Sequence, residues 1–511
     1  MKKFNKYVYG LLAVLVLFTS CDKGFDEMNV NPIALNSVDP TLQLNNAIVS
    51  SAFNYGNLSY ETTIVKQMIT PFSGVGTGAN YNQDNRSNAA NNWQRYYRTA
   101  VRELVDVIQK TKNDPNNVNL YNSARVFKAY VFMVLTDTYG DIPYSQAGLG
   151  FLDATVKPAY DSQEAIYTDL LKELETATAA LDATKPKVTR EVLYAGDITQ
   201  WKRFGYSLLL RAAMRLSKVK PDVAATYVAK AVAGGVMQSN NDNAAMHHNA
   251  NFPNDLGNQL NGGQSAFFYL AKDFVDYLKS KNDPRLLSIS VRYIGAKSGA
   301  DQVESKANRT ASVQIGMPLG YDNTTIAAPG GPVATSGLAS LWDYSQLDRT
   351  RMAAQQAPTF LITYAQTQLL LAEAVVRGWT TGDAPTLYAN GVRAHMNQLS
   401  LYGPTAAIAA SDINAYLAAN PFDPANAYEQ INTQYWVASF LNGPEAWANF
   451  RRSGYPALTP NSYPGKDLKT ESFIRRLTYP DAERSVNTAN VQKAISDQGP
   501  DVMDTRVWWD K

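Results

Sequence analysis

Cys21, the only cysteine in this 511-residue chain, limits what the chain can fold into more than any other residue. It closes a stretch that reads as an export signal, with Lys2, Lys3 and Lys6 as a basic head and an apolar run from Tyr7 to Phe18. That run of about 12 residues is shorter than the roughly 20 a helix needs to cross a bilayer, so residues 1–20 are expected to be removed rather than to anchor. An exported chain with no second thiol can build neither a disulfide nor a thiolate metal site. Whatever folds after Cys21 must therefore be held by packing alone.

Cys21 has two readings: an incidental residue of the signal, or the acylated residue of a lipoprotein. The second follows from Leu17-Phe18-Thr19-Ser20-Cys21, which resembles a lipobox. Several acyl chains, at about 0.8 kcal/mol per buried CH₂, hold a protein on a membrane where a single chain binds only reversibly. Residues 21–39, starting Asp22-Lys23-Gly24-Phe25-Asp26-Glu27, are polar and turn-rich and read as a tether. The acidic start of that tether also resembles the export signals of surface lipoproteins; a plain solvated linker accounts for the same composition.

Removing Lys2, Lys3 and Lys6 from the 47 basic residues leaves 44 against 45 acidic ones, a formal charge of −1. A chain so balanced lacks the basic surface that nucleic acid requires. From Pro40 onward the pattern is helical. Trp93, Tyr97, Val101, Leu104 and Ile108 recur at spacings of three and four, and Ala124, Phe127, Val131, Leu135 and Thr138 mark a second helix, from about Asn119 to Tyr139. That helix is expected to stop at Gly140-Asp141-Ile142-Pro143. Asp161 to Leu181, opening with a capping-box pattern, pairs with Thr199 to Ser217, and a short helix follows from Pro221 to Ala233.

Residues 234–358 change character, with dense asparagines, paired glycines and Ala328-Pro329-Gly330-Gly331-Pro332; only Gln264 to Ser280 reads there as a firm helix. A loop-rich insert of that length points to function. Helices resume over Thr359 to Trp379, Ala384 to Leu399, Ser411 to Ala419 and Tyr428 to Leu441, and the tail from Thr459 reads as irregular. The expected fold class is mainly α: tetratricopeptide-like helix pairs in a right-handed superhelix, divergent in period, with the insert and minor β, all in one unit over residues 40–511.

Several segments carry a resemblance to a known family. They are Thr136-Asp137-Thr138-Tyr139-Gly140-Asp141-Ile142-Pro143-Tyr144-Ser145, Asn282-Asp283-Pro284-Arg285-Leu286, Leu371-Ala372-Glu373-Ala374 and Arg377-Gly378-Trp379. Gln434-Tyr435-Trp436, Glu445-Ala446-Trp447, Arg451-Arg452-Ser453-Gly454-Tyr455-Pro456 and Arg475-Arg476-Leu477-Thr478-Tyr479-Pro480, followed by Glu483 and Asn487, extend it. In this order, and with the lipobox, they resemble the SusD/RagB family of nutrient-binding outer-membrane lipoproteins, in its SusD-like branch. The resemblance implies a surface-exposed lid over a SusC-like TonB-dependent transporter that captures a glycan, or sometimes a peptide, and passes it on unchanged. It further implies four helix pairs packed against the transporter and a ligand site in the loop-rich region.

Sugar rings pack their C–H faces on aromatic side chains and need a few placed polar partners for their hydroxyls. The candidates for these roles are Phe72, Tyr81, Trp93, Tyr321, Trp342 and Tyr344, with Asn80, Asn82 and Asp84. Trp93 lies on a helix stripe and fits core packing equally well; Trp436 and Trp447 read as core. Gly140 to Pro143, Asp283-Pro284-Arg285 and Arg451-Arg452 have structural readings as helix ends and turns and are assigned to no ligand.

Catalytic and metal patterns are weak. His247, His248 and His395 form no zinc arrangement, and Gly74-Val75-Gly76-Thr77-Gly78 lacks the lysine of a phosphate loop. No cofactor is expected; clusters such as Asp242-Asn243 occur in ordinary turns and do not indicate a structural calcium. Two carboxylates suffice for a glycosidase, so a surface glycoside hydrolase stays open as a rival, beside a helical-repeat scaffold that binds peptide or protein.

Overall fold

A computed structural model describes residues 38–72 and 77–511; the export signal, Cys21, most of the tether and residues 73–76 of the glycine-rich run lie outside the described residues. The first helix, α1 (Pro40–Ser50), starts where Asp39 accepts a hydrogen bond from the Thr41 amide at 2.8 Å and Pro40 presets the backbone. α2 (Tyr55–Ile64) follows. The Trp93 stripe forms one continuous helical run, from Arg86–Arg95 through a π-turn at Tyr96–Val101 into α3 (Arg102–Thr111). α4 (Val118–Tyr139) ends at Gly140, whose φ of 84° favours glycine.

α5 (Gln163–Ala179) is capped by Ser162, which accepts from the Ala165 amide. The expected capping box is only half formed, because the third helical position is Ala165, which has no side-chain acceptor to reach back; Gln163 turns inward and donates to the Thr136 carbonyl at 2.7 Å. α6 (Ile198–Arg215) and α7 (Pro221–Gly234) complete the N-terminal array. α8 (Lys272–Ser280), α9 (Tyr364–Val376), α10 (Ala384–Gln398), α11 (Ala427–Ala438) and α12 (Gly443–Ser453) are the principal later helices. Each packs on its neighbour: α3 on α4, α4 on α5, α5 on α6, α6 on α7, then α9 on α10 and on α11. α12 closes the array by packing on α2 and α4, which sets a late helix against two early ones.

Strands are few and short. β1 (Met68–Ile69) pairs with β5 (Tyr269–Leu270), β2 (Ile142–Pro143) with β3 (Tyr160–Asp161), and β4 (Ala244–Met246) with β9 (Thr359–Ile362). β6 (Ser290–Tyr293) lies between β7 (Ala307–Asn308) and β8 (Gln346–Leu347). These pairings correct two sequence expectations. The apolar run before α8 is a strand and not the first turns of a helix, because Met68 and Ile69 supply its backbone partners from 200 residues away. Thr359 to Ile362, rich in β-branched and aromatic side chains, likewise pairs with β4 before α9 begins at a Thr363–Gln366 capping box. The tail read as irregular contains helices at Asp481–Val486 and Thr488–Gln498.

With no disulfide available, the interior is closed by large side chains. Trp201, Trp436, Trp447 and Trp509 are fully buried, and so are Arg211, Arg215, Arg285, Arg451 and Arg476. Arg215 bridges Asp137 at 3.1 Å and Glu445 at 2.7 Å; Arg285 pairs with Asp283 beside His395. Burial and the Arg285 guanidinium hold the His395 imidazole well below its usual range.

Glu61 in α2 faces no close cation among these groups. It accepts one bond from Asn92 at 2.9 Å, while its second oxygen is buried without a partner. Burial pushes its carboxyl up to about 8, against the weaker pull of Arg451 and Asn92. The folded chain thus holds this proton after the unfolded chain has lost it, so the Glu61 contribution to stability falls as pH rises from about 4.5 to 8. Glu61→Gln is expected to gain on the native protein by a few kcal/mol between pH 5 and pH 8, measured by urea denaturation. An equal stability difference at both pH values would contradict the assignment.

Candidate functional site

Three segments distant in sequence converge on one side of the helical array: residues 68–72 with 77–84, the insert from 263 to 345, and the stretch after α12. β1 pairing with β5 brings the first two together, and the Asn323 amide donates to the Pro71 carbonyl at 2.9 Å. A small core of Ile69, Tyr269, Ala271, Met317, Ile326, Leu341 and Tyr344, separate from the main one, supports them. Phe72, Tyr321 and Trp342 pack on this core and stay partly exposed, so three predicted aromatics share one support.

Asn80 holds the three segments together. Its side chain is fully buried, donates to the Tyr321 carbonyl at 2.8 Å and accepts from the Gly320 amide at 2.7 Å; its own carbonyl accepts from Asn461. It therefore positions Tyr321 and leaves no polar group for a ligand. Asn82, in a left-handed conformation with φ 51°, is buried, and its carbonyl accepts from the Asp467 amide at 3.0 Å. Tyr81 is half-exposed and stacks on Tyr463 with centroids 4.6 Å apart and planes 25° apart. Burial pushes its hydroxyl up to about 12, with Asp322 and Tyr463 adding to the effect.

Three predicted residues fall outside this platform or beneath it. Trp93 takes its core alternative: it is buried between Tyr97, Tyr139, Tyr160 and Tyr479, with centroids 4.8–6.0 Å away. Asp84 faces the C-terminal tail, accepting from the Thr478 hydroxyl at 2.7 Å and pairing with Arg86 at 3.1 Å. Burial pushes its carboxyl up despite those partners. Tyr344 is fully buried, since the Leu341–Asp343 turn rolls it into the small core while Trp342 stays at the surface. Tyr344 thus supports the platform and does not form its face.

Beside Tyr321 opens a cleft of about 550 Å³, within the range of small-molecule sites. Pro318, Leu319, Tyr321, Asn461 and Ser462 form one side, and Lys66, Lys272, Asp273 and Asp276 another. Lys66 pairs with Asp273 at 3.3 Å and Lys272 with Asp276, so two cations and two anions cancel. Burial lowers the Lys66 ammonium from its usual range. The arrangement suits an uncharged ligand with hydroxyls, offering the Tyr321 ring, the exposed Ser462 hydroxyl and paired charges.

Four residues here escape sequence reasoning: Phe267, which lies 5.0 Å from Phe72 ring to ring, and Asn461, Ser462 and Tyr463. Phe267 was hidden by the helical reading of its segment. The other three sit in Thr459-Pro460-Asn461-Ser462-Tyr463-Pro464, whose proline-bracketed aromatic is the signal that could have marked them.

The chain is similar to known proteins along most of its length. A family profile named SusD-like and described as starch-binding, associating with the outer membrane, matches residues 32–480. Similar solved structures include one titled a chitin-binding protein, 29% identical, with a TM-score of 0.81 and coverage of 93% of this chain and 100% of that one. A SusD-like protein of Bacteroidetes AC2a is 28% identical, with a TM-score of 0.80 and the same coverage. A chitin-binding SusD homologue from Flavobacterium johnsoniae is 25% identical, with a TM-score of 0.71, covering 92% of this chain and 95% of that one. No curated protein matches the sequence.

Proposed function

The chain belongs to the SusD-like family, and from that premise we propose that it captures oligosaccharides at the cell surface and passes them, chemically unchanged, to a SusC-like TonB-dependent transporter. The single observation that carries the sugar reading is the charge-balanced cleft beside Tyr321, with aromatic rings and the Ser462 hydroxyl at its edge. The starch-binding description of the family and the chitin-binding titles of two relatives support a glycan over a peptide. Residues 40–511 act as one unit, Cys21 carries the acyl chains, and the tether leaves the body free to face outward from the outer membrane.

Non-catalytic capture is the reading because both cleft carboxylates are committed to lysines, whereas glycoside hydrolysis asks for one free to donate a proton to the leaving group. Phe72, Tyr81, Tyr321 and Trp342 are the proposed ring contacts, and Ser462 the polar one. Tyr81→Ala is expected to weaken oligosaccharide binding about three- to tenfold by calorimetry, since it removes one stacked ring, with the unfolding transition nearly unchanged. Binding equal to that of the native protein would remove Tyr81 from the site.

A further inference from the structure

A second cleft, of about 380 Å³, shares no lining residue with the first. It lies where the turn at Asn240 and Asn241 meets Tyr364 at the start of α9 and one face of α10. On that face Asn390, Arg393, Ala394 and Asn397 follow the i, i+3, i+4, i+7 spacing of a single helical stripe. Asparagine is a middling helix former, so neither the helix nor the core accounts for placing two of them here.

Several polar groups of this cleft are uncommitted, although Gln238 accepts from Arg203 and the Ser239 hydroxyl from the Asn241 amide. Asn240 donates its Nδ2 to the Ala394 carbonyl at 2.9 Å, which fixes the amide, and its Oδ1 is shielded from solvent with no partner among the described residues. A buried acceptor left unpaired is costly. Asn390 and Asn397 make no side-chain hydrogen bond within the described protein. Arg393 spends one N–H on Asn414 at 2.7 Å and pairs with no carboxylate among the described residues. Tyr364 is partly exposed and adds a ring to the wall.

We propose that this cleft is a second carbohydrate-binding site, taking one or two sugar units. Amides donate and accept at once, which matches the hydroxyls of a sugar, and the Tyr364 ring offers a face for its C–H groups. A glycan long enough to reach both clefts would gain by avidity without any new contact.

The test is saturation-transfer NMR with maltotriose and N,N′-diacetylchitobiose on the chain from residue 21 carrying Cys21→Ser. Ser462→Trp blocks the first cleft, and Asn390→Ala with Asn397→Ala strips the second. Sugar signal persisting in Ser462→Trp, and falling about tenfold or more when the two alanines are added, is the expected result. Loss of all signal in Ser462→Trp alone, with the native chain binding, would overturn the second site and leave the proposed function standing. Signal in Ser462→Trp that the two alanines leave unchanged would also overturn the second site. Absence of sugar signal from the native chain would overturn both.

Discussion

Arg452→Ala is expected to destabilise the protein by about 3–5 kcal/mol, the cost of leaving a buried charge without its partner. Arg452 makes two parallel bonds of 2.7 Å to the Glu373 carboxylate and further bonds to Asn432 and Asn449, all out of solvent. These groups tie α9 to α11 and α12, the elements that close the helical array on which the ligand platform rests. Burial pushes the Glu373 carboxyl up, but Arg452 and Arg377 outweigh it and hold it down at about 2. The ion pair thus contributes fully above pH 4.5 or so and is lost as pH falls toward 2. Urea denaturation near pH 7 measures the effect, and a loss below about 1 kcal/mol would show that the network is replaceable.

Ser462→Trp is expected to weaken oligosaccharide binding at least about 100-fold while changing stability by no more than about 0.5 kcal/mol. Ser462 is exposed and lines the 550 Å³ cleft, so an indole there occupies ligand space without displacing any core side chain. The contrast with Tyr81→Ala is informative: removing one ring from an edge costs one contact, whereas filling the cleft excludes the ligand. Calorimetric titration reads both variants. Unchanged affinity in Ser462→Trp would move the binding surface away from the cleft.

The helices were legible in the sequence because each carries its own signal. A stripe at spacings of three and four marks α3 and α4, the glycine at position 140 marks the end of α4, and the cap pattern at Asp161-Ser162 marks α5, without reference to anything distant. The strands were not legible, because their partners are remote: Tyr269 and Leu270 become a strand only once Met68 and Ile69 lie beside them. The same cause governs the site. Phe72, Tyr321 and Trp342 pack on one small core, and Tyr81 stacks on Tyr463. Which ring of Trp342 and Tyr344 stays outside depends on a turn at Leu341–Asp343 that sequence spacing does not encode. Asn80 was chosen as a ligand contact for its polarity, yet its hydrogen bonds are all consumed in joining Tyr321 to Asn461.

The central claim, capture of a glycan without chemistry, is tested most directly by titrating the chain from residue 21 carrying Cys21→Ser with malto- and chito-oligosaccharides, then chromatographing each mixture. Heat of binding with every sugar recovered intact is the expected result. Shortened sugars in the chromatogram, or heat with peptides and with no sugar, would contradict the claim.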